Sequence, residues 1–184
     1  MTKPKGCLAV IDMQRVFAEP DIPWLTPRFA EVIGPVHQLA DAFQPHVVFT
    51  RFVAPEKPEG IWQRYYEMWP FALQPRHAPI YQLVDELAPR AGETIDVTTF
   101  SKWGPDLASR VKLADGGPLV LAGVSTDCCV LSTAVAAADD GIEVQVVADA
   151  CAGLTDESHR EALDILQLYA PLIEVVSLAD ILGG

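Results

Sequence analysis

The chain has 184 residues, 50% of them hydrophobic and 21% charged, so it is long enough to bury a sizeable core and too apolar to stay disordered. Its 13 Lys and Arg against 25 Asp and Glu leave a formal net charge of −12, which repels phosphate backbones and argues against a nucleic-acid partner. No apolar run approaches the roughly 18 residues of a membrane span, and the apolar stretch after the basic start breaks at Asp12, too soon for a signal-peptide core. Length and composition point to a single domain over residues 1–184. Four cysteines at 7, 128, 129 and 151 have neither zinc spacing nor the density of a disulfide scaffold, which fits a reducing cytoplasm.

Short apolar runs alternate with helical patterns along the chain. Cys7–Ile11 is a continuous apolar run closed by Asp12, the pattern of a strand buried on both faces. Phe29, Val32, Ile33, Val36, Leu39, Ala40 and Phe43 follow helical spacing up to Pro45. Val47–Phe49 is the next strand. Residues of about 54–79 carry five prolines among Trp62, Tyr65, Tyr66 and Trp69, and read as a loop-rich aromatic insertion rather than a linker. A short helical pattern runs from Ile80 to Leu87. Thr94–Thr99 is β-branched and strand-like. Pro105–Leu113 is helical, with proline in the first turn. Pro118–Val124 is a strand entering a glycine turn, and Thr126–Asp140 is an Ala-rich helix closed by Gly141. Ile142–Val147 is a strand, Thr155–Tyr169 a helix with hydroxyls for capping, and Leu172–Val176 the last strand. About six strands interleaved with helices predict a three-layer α/β/α sandwich around a mostly parallel sheet.

Open parallel sheets carry their sites at the carboxyl ends of strands. Asp12-Met13-Gln14 follows the first strand, Phe100-Ser101-Lys102-Trp103 the third, and Ser125-Thr126-Asp127-Cys128-Cys129 the fourth. Thr126 and Asp127 are good N-cap residues, so Cys128 and Cys129 fall in a first helical turn. There the helix dipole favours a thiolate, and free N–H groups can hold an oxyanion. The plainer alternative makes both cysteines small core side chains. Asp12 is read either as a local cap or as a general base for a nearby thiol.

The stretches AVIDMQRVF, TFSKWGPDL and VLAGVSTDCCVLSTAVAAADDGIEVQVVADA resemble the isochorismatase-like cysteine hydrolases, over roughly residues 6 to 178. That group includes nicotinamidases, N-carbamoylsarcosine amidohydrolases and isochorismatases. The resemblance implies a Rossmann-like α/β/α fold and a catalytic Asp–Lys–Cys set. It places the aspartate at Asp12 and the nucleophile at Cys129, with a cis Val124–Ser125 peptide and an oxyanion hole of the Ser125 and Cys129 N–H groups. The lysine position of the family pattern falls on Val97, so Lys102 is the nearest cation. It is taken either as the replacement or as a surface residue. Gln14, Arg51, Phe100 and Trp103 are the candidate substrate contacts, Arg51 as a clamp for a carboxylate. The Asp-x-His that nicotinamidase-type members carry after the second strand is missing, because the chain reads Phe49-Thr50-Arg51-Phe52 there. No metal and no cofactor are expected.

The resulting expectation is a cysteine-dependent hydrolase of a small amide or carbamoyl substrate, forming a homo-oligomer and contacting neither nucleic acid nor membrane. Vinyl-ether hydrolysis of the isochorismatase kind, and a non-catalytic binding or assembly role, stand as alternatives.

Overall fold

The computed structural model describes residues 3–92, 94–114 and 116–183. Six strands form one sheet: β1 (Cys7–Ile11), β2 (Val47–Phe52), β3 (Thr94–Val97), β4 (Leu119–Val124), β5 (Val144–Ala152) and β6 (Ile173–Val176). Their order is β3-β2-β1-β4-β5-β6, and every pairing is parallel. Parallel neighbours need crossovers, and the helices supply them. Side chains alternate across the strands. Leu8 and Val10 face α1 (Phe29–Phe43) and α6 (Leu178–Leu182), whereas Cys7, Ala9 and Ile11 face α3 (Pro105–Lys112), α4 (Leu131–Asp139) and α5 (Asp156–Gln167). With both faces covered, all five β1 residues are buried.

The chain leaves β1 toward β2 on one side and reaches β4 on the other. The helices that follow β1 and β4 lie on opposite faces, so the carboxyl ends of these two strands frame a crevice. Ile11 pairs with Gly123 at its base. Gly123 has φ +114°, and a Cβ on it would lie 2.2 Å from the Ile11 carbonyl oxygen. Only glycine allows the two backbones to approach so closely while turning this way.

Three elements differ from the sequence pattern. The helical spacing at 80–87 does not form a helix. Arg15 donates its N–H to the Gln82 carbonyl and Val84 to that of Met13, which holds residues 82–84 extended beside the chain after β1. Only Pro79–Tyr81 makes a tight helical turn there. The insertion is less loop-like than its prolines suggest, since Ile61–Met68 forms a helix, α2. The helix after β4 opens with a wide π-type turn over Thr126–Val130, in which the Val130 N–H bonds the Ser125 carbonyl at 3.1 Å. Thr126 and Asp127 do not cap it; Ser125 occupies the N-cap position. Thr126 Oγ1 lies 2.8 Å from His159 Nδ1, and Asp127 accepts the Leu154 N–H at 3.0 Å. By contrast, Thr155 and Ser158 cap α5 reciprocally. Among the described residues no helix is long and apolar enough to cross a membrane.

Gly123→Ala should lower unfolding stability by about 2–4 kcal/mol in a urea titration, because the added methyl meets backbone and the φ is unfavourable.

Candidate active site

β1 ends where Asp12 turns into the left-handed region, with φ +48°. Aspartate tolerates this better than most residues, and the turn directs a fully buried carboxylate into the crevice. Thr50 on β2 donates its hydroxyl to Asp12 Oδ1 at 2.8 Å. The other oxygen, Oδ2, lies 2.9 Å from Lys102 Nζ but accepts no directed hydrogen bond, so one lone pair stays open.

Lys102 is not a surface lysine. Its side chain has 0% exposure, and its ammonium donates to the Thr99 carbonyl at 2.9 Å and sits 5.0 Å from the centre of the Phe52 ring. Its own N–H donates to Thr133 Oγ1 at 2.8 Å, and that hydroxyl donates to the Cys129 carbonyl at 2.6 Å. The segment carrying the lysine is therefore tied to the helical turn that carries the thiol. Val97, at the family's lysine position, ends β3 beside Phe52 and brings no charge.

Cys129 is buried, and Cys128 is partly exposed. The adjacent Cys128 thiol and burial push the Cys129 thiol well up, while the Lys102 ammonium pulls it down and Asp12 raises it. The same contact between the two thiols draws the Cys128 thiol down. The Val124–Ser125 peptide is cis.

Above the cysteines opens a cavity of about 300 Å³ that Ser125, Asp127, Cys128 and Cys129 help to line. Its walls carry the rings of Phe17, Trp24, Phe52, Tyr65, Trp69 and Phe100. Phe100, a candidate substrate contact, lines this cavity. Of the insertion aromatics, Tyr65 and Trp69 reach the cavity. The composition of the insertion could have signalled these two, but Trp24 and Phe17 lie in a loop region without a recognisable pattern.

Three expected substrate contacts do not face this cavity. Gln14 is buried and fully engaged: its amide nitrogen donates to the Phe52 and Tyr81 carbonyls, and its oxygen accepts the Phe52 N–H. Arg51 is paired through two nitrogens with Asp96, at 2.7 Å each, and carries no free charge toward the cysteines. Burial pushes the Asp96 carboxyl up, but Arg51 and Arg76 outweigh it and hold the group below the usual carboxylate range. Trp103 packs on the α3–α4 side and donates its indole N–H to Asp140 at 2.6 Å.

An all-parallel sheet with helices on both faces and a crevice at its switch point defines a Rossmann-like α/β/α fold. An isochorismatase domain model matches residues 6–180, and the chain belongs to that family. Isochorismatase domain-containing protein 2 of Rattus norvegicus is 32% identical over 84 residues, which is 46% of this chain and only 40% of the rat protein. An isochorismatase-like hydrolase from Alkaliphilus metalliredigens superposes with TM-score 0.79 at 21% identity, covering 99% of this chain and 98% of that one. A pyrazinamidase of Pyrococcus horikoshii, solved in complex with zinc, gives 0.75 at 26% identity over 95% and 99% of the two chains. N-carbamoylsarcosine amidase from Thermoplasma acidophilum gives 0.75 at 22% over 95% and 96%.

The residues here do not fit a bound zinc. His37 lies on α1 against Asp41 and His159 against Thr126, and no histidine lines the cavity. Among the described residues no three His, Cys, Asp or Glu side chains converge as a metal site.

Lys102→Met strands a buried carboxylate. It should cost about 3–5 kcal/mol of stability near pH 7. Urea titrations of both proteins at pH 7 would read the difference.

Proposed function

We propose that the protein is a metal-independent cysteine hydrolase that cleaves a C–N bond in a small amide or carbamoyl compound. The observation that carries this is the buried Asp12–Lys102 pair acting on the Cys129 thiol beneath an open cavity. Asp12 takes the thiol proton onto its open oxygen as Sγ attacks the substrate carbonyl. Lys102 pairs with the carboxylate, and Phe52 and Thr99 fix the ammonium. The backbone N–H groups of Ser125 and Cys129 receive the oxyanion. Collapse of the tetrahedral intermediate returns the proton to the departing ammonia or amine and leaves a thioester. Water, deprotonated by Asp12, then releases the acid and the free thiol.

The names of the pyrazinamidase and the N-carbamoylsarcosine amidase support a C–N bond over the vinyl ether. Val97 at the family's lysine position would favour a non-catalytic role, and the burial of Lys102 against Asp12 supports the catalytic reading instead. Four free cysteines accord with a reducing cytoplasm, and the exposed Ile61, Met68, Leu168 and Leu172 accord with contacts between copies in a homo-oligomer.

A panel of small amides, ureas and carbamoyl amino acids assayed for ammonia release tests the activity. Cys129→Ala should abolish turnover, whereas Cys128→Ala should retain most of it; the opposite pattern would move the nucleophile to Cys128. Turnover should also survive dialysis against chelator, and metal analysis of the purified protein should find no stoichiometric zinc or iron. Loss of activity restored by one metal would refute metal independence.

A further inference from the structure

The cavity above Cys129 has an unusual balance of surfaces. Six aromatic rings line it, and among the described residues Asp127 is the one charged side chain that lines it. Trp24 is the hub of the wall, with ring centres 6.1 Å from Phe17, 5.8 Å from Phe52, 5.8 Å from Tyr65 and 6.1 Å from Trp69. Asp12 and Lys102 lie at 2.9 Å from each other and do not line the cavity, so their charges largely cancel at the distance of a bound ligand. Arg51, read from the sequence as a clamp for a carboxylate, is held by Asp96.

Aromatic faces are electronegative, and their attraction for a cation grows when water is excluded. Phe52 already holds one cation, the Lys102 ammonium 5.0 Å from its ring centre. Asp127 Oδ1 is occupied by the Ser125 hydroxyl and the Leu154 N–H, while Oδ2 accepts nothing from the described residues. A neutral apolar ligand would cover this oxygen without a partner, and an anionic one would meet it with like charge.

We propose that this pocket selects substrates whose non-reacting end is a compact organic cation, a trimethylammonium or similar alkylammonium group, seated among the rings and opposite Asp127. Substrates bearing a carboxylate at that end are rejected. The assignment deepens the hydrolase reading and depends on it only for the reacting end of the molecule.

Two isosteric amides separate charge from shape: (trimethylammonio)acetamide and 3,3-dimethylbutanamide. Calorimetric titration of the Cys129→Ala protein reads binding without turnover. The cation should bind at least about tenfold more tightly than its neutral isostere, and succinamate should bind more weakly than either. Asp127→Asn keeps the acceptor for Ser125 and Leu154 but removes the charge, and should cut the preference to about threefold or less. Trp24→Leu keeps an apolar wall without the ring and should reduce it as well, which provides a second variant if the first does not fold. Equal or tighter binding of the neutral amide, no saturable binding of either, or an undiminished preference in a folded variant would overturn the proposal. Ammonia release by the unmodified protein is measured separately. Selective binding without turnover would count against the hydrolase reading and leave the cation site standing.

Discussion

The ion pair between Asp12 and Lys102 is the constraint on which the rest of the site depends. Both side chains are fully buried, 2.9 Å apart. Removing two charges from water costs several kcal/mol each, and attraction alone does not reliably offset it. The fold adds the Thr50 hydroxyl, the Thr99 carbonyl and the Phe52 ring around the pair. These groups come from β2 and the segment after β3, whereas Asp12 ends β1. Because β2 lies between β1 and β3, the lysine has to reach over the end of β2, and Phe52 stands there beneath its ammonium. Thr133 then ties the lysine backbone to the turn that bears Cys129. Charge pair and thiol consequently share one rigid frame, the condition for a preorganised site.

The parts of the molecule that follow from local pattern were legible. The apolar run Cys7–Ile11 is a central strand because both of its faces are covered, and the Gly123 turn admits close strand approach. Strand ends in such a sheet converge at the switch point, so Asp12 and the cysteines could be brought to one crevice from position alone. Residues whose partners are distant in sequence were not legible. Gln14 is consumed by Phe52 and Tyr81, Arg51 by Asp96 and Trp103 by Asp140. A polar side chain at a strand end looks the same in sequence whether it meets a ligand or a partner 40 residues away. The segment at 82–84 has helical spacing but exchanges backbone hydrogen bonds with residues 13–15, and tertiary pairing overrode the pattern. Lys102 is intermediate. Its nearness to the site could be read, but its burial depends on Thr133 and on an irregular path between Thr99 and Lys102 that has no periodicity.

The electrostatics bear on the proposed reaction. A thiolate on Cys129 would place two negative charges beside a single ammonium in a water-poor interior. The neighbouring Cys128 and burial oppose that state and Asp12 adds to the opposition, whereas Lys102 favours it. In the proposed reaction Asp12 accepts the thiol proton as the carbonyl arrives, and the developing charge moves to the oxyanion. The pairing of Asp12 with Lys102 leaves Asp127 as the dominant fixed charge facing the cavity. Recognition and reactivity are thereby separated in space. In the proposed reading the paired charges below the thiol manage the proton, and the ring-walled space above it, with the Asp127 carboxylate, discriminates among ligands.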